Sequence, residues 1–182
     1  MKQVLPRILL VEDEPEVRFE LKRFLQRYGK EVMTANNGEE GLLLYGAHMP
    51  DIVITDIKMP KMSGIEMAKE IKLQAPEQAI IFTTAHSDND YFLEAIELQV
   101  DGYIPKPVDL GALKRKIQHV AQRIEANKQK KFYENILNDI AQMQGVMLAV
   151  YDVDGSALFY NKKLLNFLGV RSLEEFENKY VS

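Results

Sequence analysis

Short apolar runs alternate with stretches of helical periodicity from the N-terminus to about residue 125 of this 182-residue chain. Turn-forming or charged residues bound each run, which is typical of a strand buried on both faces. Strands that alternate with helices build a parallel sheet with helices on both sides. The first, third and fourth runs are the most continuously apolar and are predicted to be central, with the second and fifth at the edges. The predicted strands are Ile8–Val11, Val32–Ala35, Ile52–Ile54, Ala79–Thr83 and Gly102–Ile104.

Apolar residues at helical spacing predict the segments between these strands. Gly29 is expected to stop the first helix, and Pro50 and Pro76 the second and third. The predicted helices are Val17–Tyr28, Gly38–His48, Gly64–Gln74 and Asn89–Leu98, followed by one that begins near Val108.

Acidic side chains follow two of the predicted strands at the point where each strand ends. Glu12 and Asp13 come after the first strand, and Asp56 comes after the third. In a doubly wound sheet, ligands bind beyond the carboxyl ends of the strands, where the strand order reverses. Three carboxylates held there repel one another unless a cation neutralises them, and Mg2+ suits a site with few protein ligands and several waters. Each acid alone also has a plainer interpretation, as a helix cap or a solvated loop residue.

Two more polar residues follow the fourth and fifth predicted strands. Thr84 follows the fourth strand and offers a hydroxyl, and Lys106 follows the fifth and offers a second positive group. A metal, an amine, a hydroxyl donor and a carboxylate able to act as nucleophile are the parts of a phosphoryl-transfer site.

These segments are similar to a known family. The stretches LLVEDEP, NNGEEGL, DIVITDIKMPKMSG, IIFTTAH and DGYIPKP resemble, in order and spacing, the receiver domain of two-component response regulators. The resemblance covers about residues 6–125. It implies a flavodoxin-like fold, in which five parallel strands form a doubly wound sheet of order 2-1-3-4-5.

The resemblance also implies roles for the matched residues. Asp56 would be the phosphoacceptor, which takes a phosphoryl group from a phosphohistidine on a sensor histidine kinase or phosphotransfer protein. Glu12, Asp13, Asp56 and the main-chain carbonyl of Lys58 would hold Mg2+. Such a protein is a switch and not an enzyme. The exposed face of the first helix, around Glu16–Arg27, would select the kinase.

A second group of matched residues would sense the phosphoryl group. Thr84 would donate a hydrogen bond to a phosphoryl oxygen, and Lys106 would form an ion pair with it. Tyr103 would be the aromatic switch that turns inward when Thr84 moves. The Lys106–Pro107 peptide bond would be cis, which proline permits at low cost.

Two other functions compete with this interpretation. A haloacid-dehalogenase-type phosphohydrolase also uses an aspartyl nucleophile, but it needs a second acid two residues later, where this chain has Lys58. A nucleic-acid binder would use the basic residues between Lys114 and Lys131, which are more simply a solvated helix face. A net charge of −4 gives no electrostatic support for nucleic-acid binding by the whole chain.

A long helical segment is predicted over residues 108–144. An apolar stripe from Leu110 to Ile124 is interrupted by polar residues 125–131 and resumes from Phe132 to Met143. One continuous helix would need a partner for the second stripe, and parallel pairing with a second copy would give a homodimer. Two helices joined at a hinge are the alternative.

Residues 145–182 are predicted to begin a second, α+β unit. A strand from Val146 to Val150, a turn, a strand from Ala157 to Tyr160 and a helix capped by Asn161 resemble the opening of a PAS sensory domain. Ser172 and Glu175 suit a capping box for a last helix. Because about forty residues cannot close a core alone, this unit is expected to be partial, and an unrelated appendage is the alternative.

The remaining features exclude other classes. The chain has no cysteine, and no apolar run approaches the roughly 20 residues of a membrane span. A cytoplasmic protein with no membrane contact and no direct nucleic-acid contact is therefore expected. His86 is interpreted as a solvated loop residue, with a role over the phosphoryl group as the alternative. His48 and His119 are expected at the surface.

Overall fold

The computed structural model describes residues 5–85, 98–142, 146–153, 157–172 and 175–176. The chain divides into two compact units, Met1–Ala126 and Asn127–Ser182. His86 and all but the last residue of the predicted helix Asn89–Leu98 lie outside the described residues. No helix among the described residues is long and apolar enough to cross a membrane.

The first unit is built on one five-stranded sheet in which every neighbouring pair of strands is parallel. The strand order is β2-β1-β3-β4-β5, which confirms the predicted flavodoxin-like fold. Each strand is one or two residues longer than predicted, because residues just beyond the apolar runs also pair. The strands are β1 (Arg7–Val11), β2 (Glu31–Ala35), β3 (Ile52–Asp56), β4 (Ala79–Thr84) and β5 (Gly102–Pro105).

The helices agree with the predictions except at some ends. The first stops at Leu25 and not at Tyr28, because the amides of Tyr28 and Gly29 both bond to the Leu25 carbonyl and close a turn. The last begins at Leu110 and runs without a break for 33 residues. The hinged alternative is therefore wrong within the described residues. The helices are α1 (Pro15–Leu25), α2 (Gly38–His48), α3 (Gly64–Gln74) and α4 (Leu110–Gln142).

Two apolar layers cover the two faces of the sheet. Alternate strand residues such as Val53 and Phe82 pack with α2 and α3 on one face. The intervening residues, such as Ile54 and Ile81, pack with α1 and α4 on the other. The central strands are buried along both faces, so only their ends leave room for charged side chains.

The second unit contains a two-stranded antiparallel sheet and a short helix, as the sequence predicts, but its first strand begins at Ala149 and not at Val146. These elements are β6 (Ala149–Tyr151), β7 (Ala157–Tyr160) and α5 (Lys162–Leu168). The buried Asn161 side chain accepts hydrogen bonds from the amides of Leu148 and Leu164 at 3.1 and 3.0 Å, and so ties β6 to the start of α5. The amide of Glu175 donates to the Ser172 hydroxyl at 3.1 Å, which is half of the predicted capping box.

Candidate functional site

Three carboxylates meet at the carboxyl edge of the sheet. Glu12 and Asp13 follow β1, and Asp56 ends the neighbouring parallel strand β3. One oxygen from each carboxylate lies within 4.8 Å of the others. Glu12 is fully buried and Asp56 is 8% exposed. The structure therefore brings together the three side chains that the sequence selected, at a spacing that one ion can span.

Lys106 faces this cluster from the end of β5. Its Nζ atom lies 2.6 Å from Oδ2 of Asp56 and 3.0 Å from Oε2 of Glu12. The Lys106 amide donates to the carbonyl of Thr84 at 2.7 Å, which fixes the start of the side chain. The Lys106–Pro107 peptide bond is cis, as expected. Lys106 thus reaches across β4 to join residues from three strands.

Asp56 is held on both its side chain and its main chain. Its Oδ1 atom accepts a hydrogen bond from the Ile57 amide at 2.6 Å, and its carbonyl accepts one from the Thr55 hydroxyl at 2.9 Å. Gly64 packs so closely on this carbonyl that a Cβ atom there would lie 1.9 Å from the oxygen. The Gly64 amide also donates to the Ile57 carbonyl at 2.9 Å. Only glycine permits the loop after β3 to fold back over Asp56 in this way.

Burial and charge act against each other on the pKa values of the site. Burial raises the pKa of Glu12, and the hydrogen bond and charge of Lys106 only partly oppose it. Burial by itself would lower the pKa of Lys106, but its hydrogen bonds with Asp56 and Glu12 raise it overall. Lys106 is therefore a cation at neutral pH, and a single cation cannot balance three carboxylates.

Thr84 and Tyr103 share the sheet face that packs with α2 and α3. The half-buried Tyr103 is the β5 partner of Phe82, with ring centroids 6.1 Å apart, and its hydroxyl is buried. Burial raises the pKa of the Tyr103 hydroxyl. Thr84, two residues beyond Phe82, projects on the same side because side chains alternate along a strand. Lys58 has an exposed side chain two residues beyond Asp56, and the role of its carbonyl stays a prediction.

Sequence reasoning placed Thr83 at this edge but missed Arg18. Arg18 donates from one guanidinium nitrogen to the carbonyls of both Glu12 and Asp13. Thr83, the β4 partner of Asp56, buries a hydroxyl that has no hydrogen-bond partner among the described residues. A basic residue five positions after the second acid, on the first turns of the next helix, was the available signal for Arg18.

A groove of about 300 Å3 opens beside Lys106. Its walls come from α1 and from the segment between β5 and α4. They include Val17, Glu20 and Leu21 on one side and Pro107, Val108 and Leu110 on the other. The groove adjoins the amine that contacts Asp56, so a molecule bound there would lie next to the cluster.

Comparison with known proteins gives matches over this first unit. The family model of the response regulator receiver domain matches residues 8–118. The DNA-binding transcriptional regulator NtrC of Proteus hauseri is 31% identical over 146 residues, which are 80% of this chain and 31% of that protein. The probable transcriptional regulator ycf27 of Cyanidium caldarium is 36% identical over 130 residues, which are 71% of this chain and 52% of that protein. A crystal structure of a receiver domain protein from Clostridium thermocellum has 35% identity and a TM-score of 0.64, and the match covers 67% of this chain and 98% of that one. This chain therefore spans about a third to a half of the length of these curated relatives.

Proposed function

The chain belongs to the response regulator receiver family, and from this premise we propose that its first unit is a phosphoacceptor switch centred on Asp56. A sensor histidine kinase or a phosphotransfer protein supplies the phosphoryl group from a phosphohistidine. The nitrogen–phosphorus bond of the donor breaks as a carboxylate oxygen of Asp56 bonds to phosphorus. The observation that carries this proposal is the contact between Asp56 and Lys106 inside a cluster of three carboxylates.

The chain's own residues orient and balance this transfer. The Ile57 amide holds Oδ1 of Asp56 at 2.6 Å, so the carboxylate presents its remaining lone pairs in a fixed direction. Lys106 is placed to exchange its contact with Oδ2 for one with a phosphoryl oxygen. Hydrogen bonds between charged groups are short and about twice as strong as neutral ones, so this exchange favours the phosphorylated state.

The cluster fits Mg2+. It offers three hard carboxylate oxygens at short mutual distances, and one of them, on Glu12, is fully buried. Glu12, Asp13 and Asp56 would hold the ion together with the main-chain carbonyl of Lys58. When bound, Mg2+ would supply positive charge against the phosphoryl oxygens, which the single charge of Lys106 cannot neutralise.

Thr84 and Tyr103 would convert phosphorylation of Asp56 into a change in the surface of the first unit. A phosphoryl group brings a charge near −2 and new acceptor oxygens, which draw the Thr84 hydroxyl toward Asp56. Tyr103 shares the sheet face of Thr84, so movement of Thr84 changes the space available to the Tyr103 ring. Moving a two-state switch from mostly off to mostly on needs about 5 kcal/mol of differential stabilisation, which a few charged hydrogen bonds can supply.

The rival phosphohydrolase has no support from the family match. This chain also lacks the second acid that such an enzyme needs, because position 58 is a lysine. We therefore infer that the first unit is not itself an enzyme. The kinase would dock on α1, around Glu16–Arg27, beside the groove at Lys106.

The rest of the chain would carry the signal onward. The proposed domain division is residues 1–125 for the receiver, 108–144 for a helical linker that overlaps its last helix, and 145–182 for a PAS-like segment. The β6–β7 hairpin, followed by a helix capped by Asn161, supports the PAS-like assignment. We place the protein in the cytoplasm, as a homodimer through α4, without direct nucleic-acid or membrane contact.

Covalent phosphorylation of the protein, measured by mass spectrometry, tests this function. Asp56→Asn is expected to abolish the mass increase that acetyl phosphate and Mg2+ produce in the wild-type protein. Asp139→Asn, an exposed acid on α4, is the matched control and should be phosphorylated like the wild type. Phosphate uptake by Asp56→Asn at the wild-type level would remove Asp56 from its role.

A further inference from the structure

The side chain of Arg18 binds the main chain of both acidic residues that follow β1. Its Nη1 atom donates to the Glu12 carbonyl at 2.6 Å and to the Asp13 carbonyl at 3.0 Å. We propose that Arg18 is a positioning residue for the metal site, because it fixes the loop from which the Glu12 and Asp13 carboxylates reach toward Asp56. This inference rests on the Mg2+ site of the proposed function.

Other hydrogen bonds also hold the loop between β1 and α1, including one from the main chain of Glu14 to the Glu12 carboxylate. Glu14 precedes α1 as its N-cap residue but makes no capping hydrogen bond through its side chain. The Glu12 amide donates to the Ala35 carbonyl at 3.1 Å, which holds the residue on its N-terminal side. The Arg18 contacts hold the next two peptide groups. Together these bonds set the directions in which the two carboxylates leave the main chain.

The helix that carries Arg18 is packed against the sheet. Arg18 lies on α1, and Leu21 and Leu25 of the same helix are buried against the sheet. A guanidinium bound to two carbonyls therefore ties the loop to a packed element and not to another loop. Residues that orient metal ligands in this way typically change metal affinity about 10- to 100-fold when they are removed.

The charge of Arg18 acts on Mg2+ in the opposite direction from this restraint. A positive guanidinium beside the cluster repels a divalent cation, so loss of the charge alone would strengthen Mg2+ binding. Loss of the restraint would instead weaken binding, because the carboxylates would have to be ordered when the ion binds. The sign of the change in affinity thus separates a positioning role from a purely electrostatic one.

Arg18→Met keeps much of the aliphatic stem and removes the donor. We expect its dissociation constant for Mg2+, measured by isothermal titration calorimetry, to be about tenfold higher than that of the wild type. In phosphorylation by acetyl phosphate, the Mg2+ concentration at half-maximal rate should rise to the same degree. The rate at saturating Mg2+ should stay within about threefold, because Asp56 and Lys106 are unchanged.

Arg23→Met is the matched control, since Arg23 is an exposed arginine on the same helix. It removes the same charge without touching the loop, so its Mg2+ affinity should stay the same or increase slightly. Unchanged or tighter Mg2+ binding by Arg18→Met would overturn the positioning role. Equal weakening in both variants would overturn it as well, because an arginine that does not contact the loop would then have the same effect. If the wild-type protein bound no Mg2+, the proposed metal site would fail, which is a distinct result from a failure of Arg18 alone.

Discussion

At the scale of single residues, the site is short of positive charge. Lys106 lies 2.6 Å from Asp56 and 3.0 Å from Glu12, and Asp13 adds a third carboxylate nearby. A phosphoryl group on Asp56 would make the imbalance larger. The amine supplies direction, since it is fixed by β5, but it supplies only one charge. A divalent cation would supply the missing charge, which is why the proposed function includes Mg2+.

Gly64 gives a prediction at this scale. Gly64→Ala would place a Cβ atom 1.9 Å from the Asp56 carbonyl oxygen, so the loop or the end of β3 has to shift. The expected loss in the free energy of unfolding, measured by urea denaturation, is about 2–3 kcal/mol. Phosphorylation of the folded variant by acetyl phosphate should also be slower, because the same shift displaces Asp56.

Gly46→Ala is the control for this prediction. Gly46 lies inside α2, and a Cβ atom there would meet nothing within 4 Å. Alanine should therefore stabilise the helix by about 0.5–1 kcal/mol. If Gly64→Ala were as stable as Gly46→Ala, the close approach over Asp56 would not restrict the loop.

At the scale of elements, α4 carries two apolar stripes with different environments. Leu113, Ile117 and Val120 are buried in the layer that covers one face of the sheet. Farther along, Phe132 is 60% exposed and Ile140 is 44% exposed. Such a stripe on an uninterrupted helix is the basis for the proposed pairing with a second copy, because it leaves apolar area in water.

Charged residues in the second stripe should separate the proposed dimer. Ile136→Asp combined with Ile140→Asp would bury unpaired charges at the seam, so the dimer dissociation constant should rise at least tenfold. Sedimentation velocity over a range of concentrations would measure this change. Asn138→Asp, on the same stretch of helix, is the control and should dimerise like the wild type. A wild-type protein that sediments as a monomer throughout the range would refute the pairing.

At the scale of the whole molecule, the sheet and most of its site follow from the sequence. The strands were predictable because buried parallel strands have continuous apolar runs, and the charged residues at their ends then had to share one edge. The sequence offered Arg18 as a basic residue near the cluster, but its contact could not be specified, because it joins a side chain to carbonyls whose directions are set only by the folded loop. The end of α1 was missed because Tyr28 keeps the apolar spacing of the helix after the chain has entered a turn. The proposed pairing of α4 depends on a second copy, which the pattern of a single chain does not contain.

The buried Glu12 should leave a signature in the stability of the whole protein against pH. Because burial raises its pKa above the ordinary value of 4.5, the folded state holds this proton at pH values where the unfolded chain has lost it. The free energy of unfolding attributable to Glu12 is therefore highest below pH 4.5 and decreases as pH rises through the folded pKa. The decrease is about 1.4 kcal/mol for each pH unit that separates the folded pKa from the unfolded one.

Glu12→Gln cannot titrate, so its free energy of unfolding relative to the wild type should increase between pH 4 and pH 7 in Mg2+-free buffer. Urea denaturation across this range would measure the difference. A flat difference for Glu12→Gln would mean that Glu12 does not titrate as a buried acid. Adding Mg2+ at pH 7 should stabilise the wild type more than the variant, because the wild type keeps a carboxylate ligand that the variant has lost.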